Sequence, residues 1–248
     1  MKVNPLTVKI GWALFFGALF LVTGCSSLSM RQVWDHTKRA SYTAVTDPVT
    51  WGTALGAAAL YATNADEGLT DYFMDNNWVE DDVDVFMLDS NAAIALLTAV
   101  TIPGEEVHTK AKRVAVTFGA FGASRLAVVG LQEAIEKETP NGEKDYAIGS
   151  HHAVEPFAGS ALTRRHVEAM ALPAWAAYSI VGVSYTTASV AALTRVQEGD
   201  HSVADQLVNA AVGNFIGIFF NDAFMSQDNY VDVSLSKEHF YIDFNRVF

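Results

Sequence analysis

Three long apolar segments constrain the fold of this 248-residue chain more than any other feature. They run from Val107 to Lys137, from His166 to Arg195 and from Val203 to Met225, and each is long enough for a helix. Small residues recur along all three, which favours helices that pack closely. Charged residues such as Lys110 and Arg125 interrupt the first segment, and charges are costly inside a bilayer. The sequence therefore predicts an all-α bundle that does not span a membrane.

The end of the chain has a different pattern. Val231 to Leu235 and Phe240 to Phe244 alternate between apolar and polar residues, with Lys237 and Glu238 between them. Alternation with a period of two indicates strands, so we expect a small C-terminal β-hairpin. A terminal phenylalanine on an alternating strand is also typical of outer-membrane barrels, but one hairpin cannot close a barrel.

Acidic residues are dense between Asp66 and Asp84, with Tyr72, Phe73 and Trp78 among them. Carboxylates at such spacing can bind calcium. The segment lacks the alternating ligands and the closing bidentate glutamate of a calcium loop, however. We therefore expect a solvated acidic loop.

The N-terminus has the pattern of a secretory signal. Lys2 and Lys9 precede an apolar run from Ile10 to Leu21, which is short for a membrane span of about 20 residues. The small residues before Cys25 resemble a lipobox, which implies a signal peptide at residues 1–24 and a diacylated thiol on Cys25. Ser26 then implies sorting to the outer membrane, facing the periplasm. An ordinary signal peptide or an uncleaved anchor helix are the alternatives.

Composition limits the possible partners. The formal net charge of −12 gives a surface that repels nucleic acid. A single cysteine excludes an internal disulfide. Apolar residues make up 50% of the chain, which leaves membrane contact of the body open. We expect residues 25–47 to form a lipidated tether that includes a first short helix, and residues 48–248 to form one domain.

Polar residues that could take part in catalysis or bind phosphate lie between the apolar segments. His201 and Asp205 are four residues apart at the start of a predicted helix, so they share one face. A carboxylate there can hold one ring nitrogen of the histidine and leave the other as a nucleophile or base. Arg195 lies six residues upstream, and its guanidinium suits phosphate. Ser150 and His152 stand at the start of another helix, where anions bind well.

Taken together, three motifs resemble those of the type 2 phosphatidic acid phosphatase family, which is related in fold to vanadium haloperoxidases. The family pattern S-R-x5-H-x3-D matches Thr194 to Asp205 with only the serine changed. The pattern P-S-G-H falls on Gly149 to His152, and K-x6-R-P falls on Gln132 to Pro140. The similarity covers residues 111–220 and implies a helical bundle of the phosphatase and haloperoxidase type.

The resemblance also implies a role for each matching residue. His201 would attack phosphorus to give a phosphohistidine, Asp205 would orient His201, and His152 would protonate the leaving oxygen. The positions implied for phosphate binding are Arg195, Ser150, His151, Gln132 and Thr139. The family mechanism needs no metal or other cofactor. Its substrates here would be phosphorylated small molecules or lipid phosphates, and the sequence identifies no protein partner.

The sequence departs from the family where phosphate is bound. Gln132 replaces the lysine and Thr139 the arginine of the first motif, and Lys137 or Arg125 could compensate only from outside the motif positions. In the second motif a histidine at position 151 replaces glycine and would be strained if φ were positive there.

Two functions therefore stay open. One is a phosphatase acting on phosphomonoester or pyrophosphate bonds. The other is a phosphatase-fold lipoprotein with weakened or lost catalysis that serves as a binding or assembly module.

The other histidines carry less information. Four have no partner in the sequence and are expected at the surface or at helix caps: His36, His108, His166 and His239. A metal site built from His151, His152 and His201 lacks residues to orient its ligands, so no metal site is predicted.

Overall fold

The structure is a computed structural model. It describes residues 30–76, 78–80, 83–142 and 148–225, together with the backbone of residues 230–235 and 240–245. The predicted signal peptide, Cys25, Ser26 and His239 lie outside the described residues.

Helices dominate the described part of the chain, as predicted. Their bounds are α1 Met30–Thr46, α2 Pro48–Thr63, α3 Ala65–Asp75, α4 Val83–Thr101, α5 Val107–Ala134, α6 His151–Glu168, α7 Ala174–Gln197 and α8 Val203–Met225. Two antiparallel strands follow, β1 Tyr230–Leu235 and β2 Phe240–Asn245, with Val233 opposite Ile242. The all-α architecture of the body is confirmed, and β1 lies beside α5.

Local signals fix where several helices begin. Pro48 stands at the first position of α2, and the side chain of Asp47 accepts a hydrogen bond from the Val49 N–H at 3.1 Å. Asn64 has a left-handed conformation, with φ of 53°, and separates α2 from α3. Pro173 immediately precedes α7, where the sequence predicts that the main helix of this segment starts or kinks.

Helix α6 lies at the centre of the bundle. Helices α4, α5, α7 and α8 pack around it, while α1 and α2 pack on α8. Two glycines allow the backbones of α6 and α8 to approach closely. A Cβ at Gly213 would collide with the carbonyl oxygen of Val154, and a Cβ at Gly217 would collide with that of Ala158. Only glycine fits at these two crossings.

Three expectations from the sequence are wrong at this level. Residues 30–46 form the expected first helix, but this helix belongs to the bundle rather than to a tether, because Ala40 and Ala44 of α1 are buried. The acidic segment contains helix α3, and Asp84 is buried in the first turn of α4. His166 is fully buried instead of lying at the surface, with its Nδ1 3.1 Å from Oγ1 of Thr98.

Four helices are long and apolar enough to cross a membrane: α4, α5, α7 and α8. Their length and composition indicate membrane association. The cations that the sequence places in this segment lie within α5. Lys110 and Lys112 stand in its first two turns, Arg113 pairs with Glu105, and Arg125 pairs with Glu155 of α6 at 2.5 Å.

Candidate functional site

The residues that carry the phosphatase resemblance lie at one end of the bundle. Helices α4, α6 and α8 begin at this end, and helices α5 and α7 finish there. The antiparallel order of the central helices therefore brings together short segments that are far apart in sequence. We call this the site end, and the opposite one the far end.

Asp84 connects two of the predicted site residues. Its Oδ2 lies 3.1 Å from Nδ1 of His152, without hydrogen-bond geometry, and 3.4 Å from Nη1 of Arg195. Its Oδ1 accepts a hydrogen bond from the Val85 N–H at 2.7 Å, which fixes the carboxylate at the start of α4. All three charged or polar side chains are largely buried, so Asp84 acts on His152 and Arg195 with little screening by water.

Arg195 is surrounded by carboxylates. Besides Asp84, it forms ion pairs with Glu198 and with Asp200. The chain turns back at Gly199, where φ is 73°, and the carbonyl oxygen of Arg195 accepts a hydrogen bond from the His201 N–H at 3.3 Å. The backbone of the predicted nucleophile is thus attached to the predicted phosphate-binding arginine.

Asp205 is fully buried and has partners that the sequence did not indicate. Lys137 Nζ lies 2.9 and 2.8 Å from its two oxygens, and the hydroxyls of Tyr61 and Ser202 donate at 2.5 and 2.9 Å. Within the described residues, these groups and the Ser202 N–H are the hydrogen-bond donors to this carboxylate. The predicted bond from Asp205 to the ring of His201 is not among them, because Lys137 and Tyr61 occupy the carboxylate.

The two substituted positions of the first motif form part of the scaffold. Gln132 donates from Nε2 to the carbonyl oxygen of Gly149 at 2.8 Å, and Thr139 donates from Oγ1 to Oδ1 of Asn141 at 2.6 Å. These bonds hold the loops beside the site. The cations that could compensate are already paired with carboxylates, since Lys137 binds Asp205 within the site and Arg125 binds Glu155.

The predicted strain at position 151 does not arise. The positive φ of this segment, 87°, belongs to Gly149, and His151 is the first residue of α6. A Cβ at Gly149 would lie 2.8 Å from the carbonyl oxygen of Val128, so a side chain is excluded there. The glycine lies two positions before the place where the family pattern has one.

His151 and His152 are adjacent, with ring centroids 3.9 Å apart. Burial, the neighbouring His151 ring and the positive charge of Arg195 lower the pKa of His152 to about 4. Burial also lowers the pKa of His151. Both rings are consequently neutral at pH 7, and His152 takes up a proton only in acid.

Several polar atoms at the site end have no hydrogen-bond partner within the described residues. They are Oγ of Ser150, Nδ1 of His152 and Nε of Arg195. Ser150 precedes α6 and only 2% of it is exposed, yet its hydroxyl does not cap the helix. Buried donors without partners are uncommon in proteins and are frequent where a ligand or water binds. These atoms are therefore candidates for contact with a water molecule or a ligand.

Sequence reasoning missed Asp84, Glu198 and Asp200 as site residues. Glu198 and Asp200 stand inside the motif that ends at Asp205, so their position next to Arg195 was a usable signal. Asp84 had none, because it belongs to the acidic segment and reaches the site only through the packing of α4 beside α6 and α7.

The described residues contain no group of three or more His, Cys, Asp or Glu residues that could hold a metal ion. Comparison with known proteins gives no relative: no family model, no curated protein and no solved structure matches the chain.

Proposed function

We propose that the protein hydrolyses phosphomonoester or pyrophosphate bonds at a membrane through a phosphohistidine intermediate. The observation that supports this function is the meeting of His152, Arg195 and His201 at the site end. His152 and Arg195 both contact Asp84, and the His201 N–H is bonded to the Arg195 carbonyl. The same residues carry the resemblance to the type 2 phosphatidic acid phosphatases.

In this mechanism His201 attacks phosphorus, and a nitrogen–phosphorus bond forms as the bond to the leaving oxygen breaks. His152 gives its proton to that oxygen. Water then attacks the phosphohistidine and returns a proton to His152, so phosphate leaves and the enzyme is restored. Arg195 and the unpartnered Ser150 hydroxyl hold the phosphate oxygens. Asp205 acts through the Ser202 turn, to which it is bonded at 2.9 Å, and so positions His201.

The pKa of the proton donor indicates that this chemistry works best in acid. Arg195 and Lys137 face four carboxylates, those of Asp84, Glu198, Asp200 and Asp205, so a phosphate must compete with carboxylates for Arg195. His152 also carries the proton that the leaving group needs only near its pKa of about 4.

Turnover by the full-length protein tests the proposal. Phosphate release from phosphomonoesters, pyrophosphate and lipid phosphates should be measured between pH 4 and 7, with and without vanadate. We expect vanadate-sensitive release by the wild type and none by His201→Ala. The matched control is His36→Ala, because His36 lies beside Asp222 and Met225 at the far end. If both variants lose activity equally, or neither does, His201 is not the nucleophile.

A second function is favoured by the substituted first motif. Gln132 and Thr139 make scaffold hydrogen bonds in place of the family cations, and Asp205 is bound by Lys137 rather than by the ring of His201. This arrangement is compatible with a phosphatase-fold protein that binds a partner and no longer catalyses. The double variant Gln132→Lys with Thr139→Arg separates the two functions. An enzyme should gain activity or phosphate affinity, whereas a pure binding module should stay inactive and bind neither phosphate nor vanadate.

Attachment through lipid on Cys25, in the outer membrane and facing the periplasm, belongs to the same proposal. Helix α1 begins five residues after Cys25, and its His36 and Arg39 lie beside Met225 at the far end. Cys25→Ser should abolish acylation and leave an uncleaved or mislocalised chain. A variant that reaches the membrane at its mature mass without lipid would disprove the anchor.

A further inference from the structure

We infer that the body of the protein is embedded in a lipid bilayer, with α4, α5, α7 and α8 crossing it and enclosing α6. Length and hydropathy alone show only that the four helices could cross. The distribution of residue types between the interior and the surface of the bundle gives the stronger argument.

The interior of the bundle is made of small and polar residues. More than half of the buried apolar residues are alanines, and large aliphatic side chains are few among them. Polar side chains bond across helices instead. Asn91 of α4 donates to Ser160 of α6 at 2.9 Å and to Thr187 of α7 at 3.1 Å. Close packing through small residues, with polar side chains joining helices, is typical of association within lipid.

The outer surface has the opposite composition. Large apolar side chains point outward from four helices, each 50% to 78% exposed: Trp51 and Leu55 of α2, Phe86 and Leu97 of α4, Phe118 of α5, and Trp175, Tyr178 and Val183 of α7. We call these residues the apolar belt. A water-soluble bundle would bury such residues and expose small and polar ones.

Charged residues are few within the belt region and are concentrated at the two ends of the bundle. Helix α7 has no charged residue from Ala174 to Thr194, a length of about 32 Å at 1.5 Å per residue that matches a hydrocarbon core of about 30 Å. Five charged residues stand within the belt region. Arg125 pairs with Glu155, Arg164 pairs with Asp47 beside Asn214 in the middle of α8, and Asp89 lies on the second turn of α4, toward the site end.

At the far end, ion pairs join several elements. Arg113 pairs with Glu105 at 2.6 Å, and Arg165 pairs with Asp222 at 2.8 Å. Acidic residues dominate the site end. Each end therefore has the polar composition that meets headgroups and water, and the belt lies between them.

Lipid fits the belt better than a second copy of the chain does. The exposed apolar residues occur on α2, α4, α5 and α7, which lie on different sides of the central α6 and of α8. One dimer interface covers one side of a bundle, whereas a bilayer surrounds it. Embedding also places the site end at the level of the headgroups. If the proposed hydrolase function holds, a lipid phosphate would reach His201 and Arg195 from within the membrane.

Cysteine labelling in native membrane vesicles tests the embedding. Wild type contains only Cys25 and gives the background. Belt positions are probed by Leu97→Cys and Val183→Cys. The matched controls are Glu80→Cys at the site end and Glu106→Cys at the far end, both of which are exposed. A membrane-impermeant maleimide is applied to right-side-out and to inverted vesicles, before and after detergent.

We expect each control cysteine to be labelled from one side only, and the belt cysteines from neither side until detergent is added. Labelling of the belt cysteines in intact vesicles would overturn the inference. Protection that persists in detergent would overturn it too, because it would show a protein partner on the belt. A second test is extraction of the wild-type protein from membranes at alkaline pH. The protein should stay in the membrane fraction, and its release would refute the embedding. None of these results depends on enzymatic activity.

Discussion

Replacing Asp200 with asparagine removes one of the three carboxylates that hold Arg195. The side chain keeps its size, and the Asp200 N–H that bonds to the Arg195 carbonyl at 3.1 Å is unaffected. Arg195 also keeps Glu198 and Asp84, so the variant should fold. The guanidinium, however, would be less fully occupied and better able to bind a phosphate oxygen.

The size of the effect follows from the contact that is lost. A hydrogen bond to a charged group contributes about 1.5–3 kcal/mol. The Arg195 side chain is 20% exposed, so the lower part of that range applies because of solvent screening. At about 1.4 kcal/mol per tenfold change in binding, vanadate and phosphate should bind about tenfold more tightly to Asp200→Asn at pH 7.

Isothermal titration of the detergent-solubilised protein with vanadate measures this change. Asp222→Asn is the matched control, since Asp222 pairs with Arg165 at the far end and its loss changes the net charge equally. Unchanged vanadate affinity in a folded Asp200→Asn protein would refute competition for Arg195. An equal gain in both variants would assign the effect to net charge rather than to the ion pair.

Two further predictions concern the proton donor and the helix packing. Because the pKa of His152 is lowered to about 4, its folded form stays neutral while the unfolded form, with an ordinary pKa of about 6.5, takes up a proton. The free energy of unfolding should therefore fall as the pH drops from about 6.5 to 4. Over the same pH range kcat should rise, because more His152 carries the proton for the leaving group. In a pH–rate profile, His152→Gln should lack that rise. Gly213→Ala should lower the free energy of unfolding by about 1–3 kcal/mol, because the added methyl overpacks against Val154. The control is Gly182→Ala, which should not destabilise the protein because a Cβ there would have no atom within 4 Å. Equal shifts in Tm for the two variants would contradict this account of the α6–α8 contact.

The sequence predicted the helices well because their signals are local. Pro103 and Gly104 stand between α4 and α5, and Pro173 stands directly before α7, so both helix boundaries coincide with residues that end or start helices. Composition also showed that the body is apolar. It did not show which side of each helix faces outward, and the proposed embedding in the bilayer rests on that distribution. The four cations of α5 also had to be located before their cost in a bilayer could be judged. Two of them lie in its first two turns, and the other two, Arg113 and Arg125, are each paired with a glutamate.

The site was only partly predictable for a related reason. The spacing from Arg195 to Asp205 defines one turn and the start of one helix, so the sequence by itself placed Arg195, His201 and Asp205 near one another. The partners of those residues come from elsewhere. Asp84 reaches Arg195 from α4, and Lys137 and Tyr61 reach Asp205 from α5's end and from α2. Only the tertiary structure decides these pairings. Opposite charges make any carboxylate and any cation attract each other, but the packing of the helices determines which carboxylate lies beside which cation.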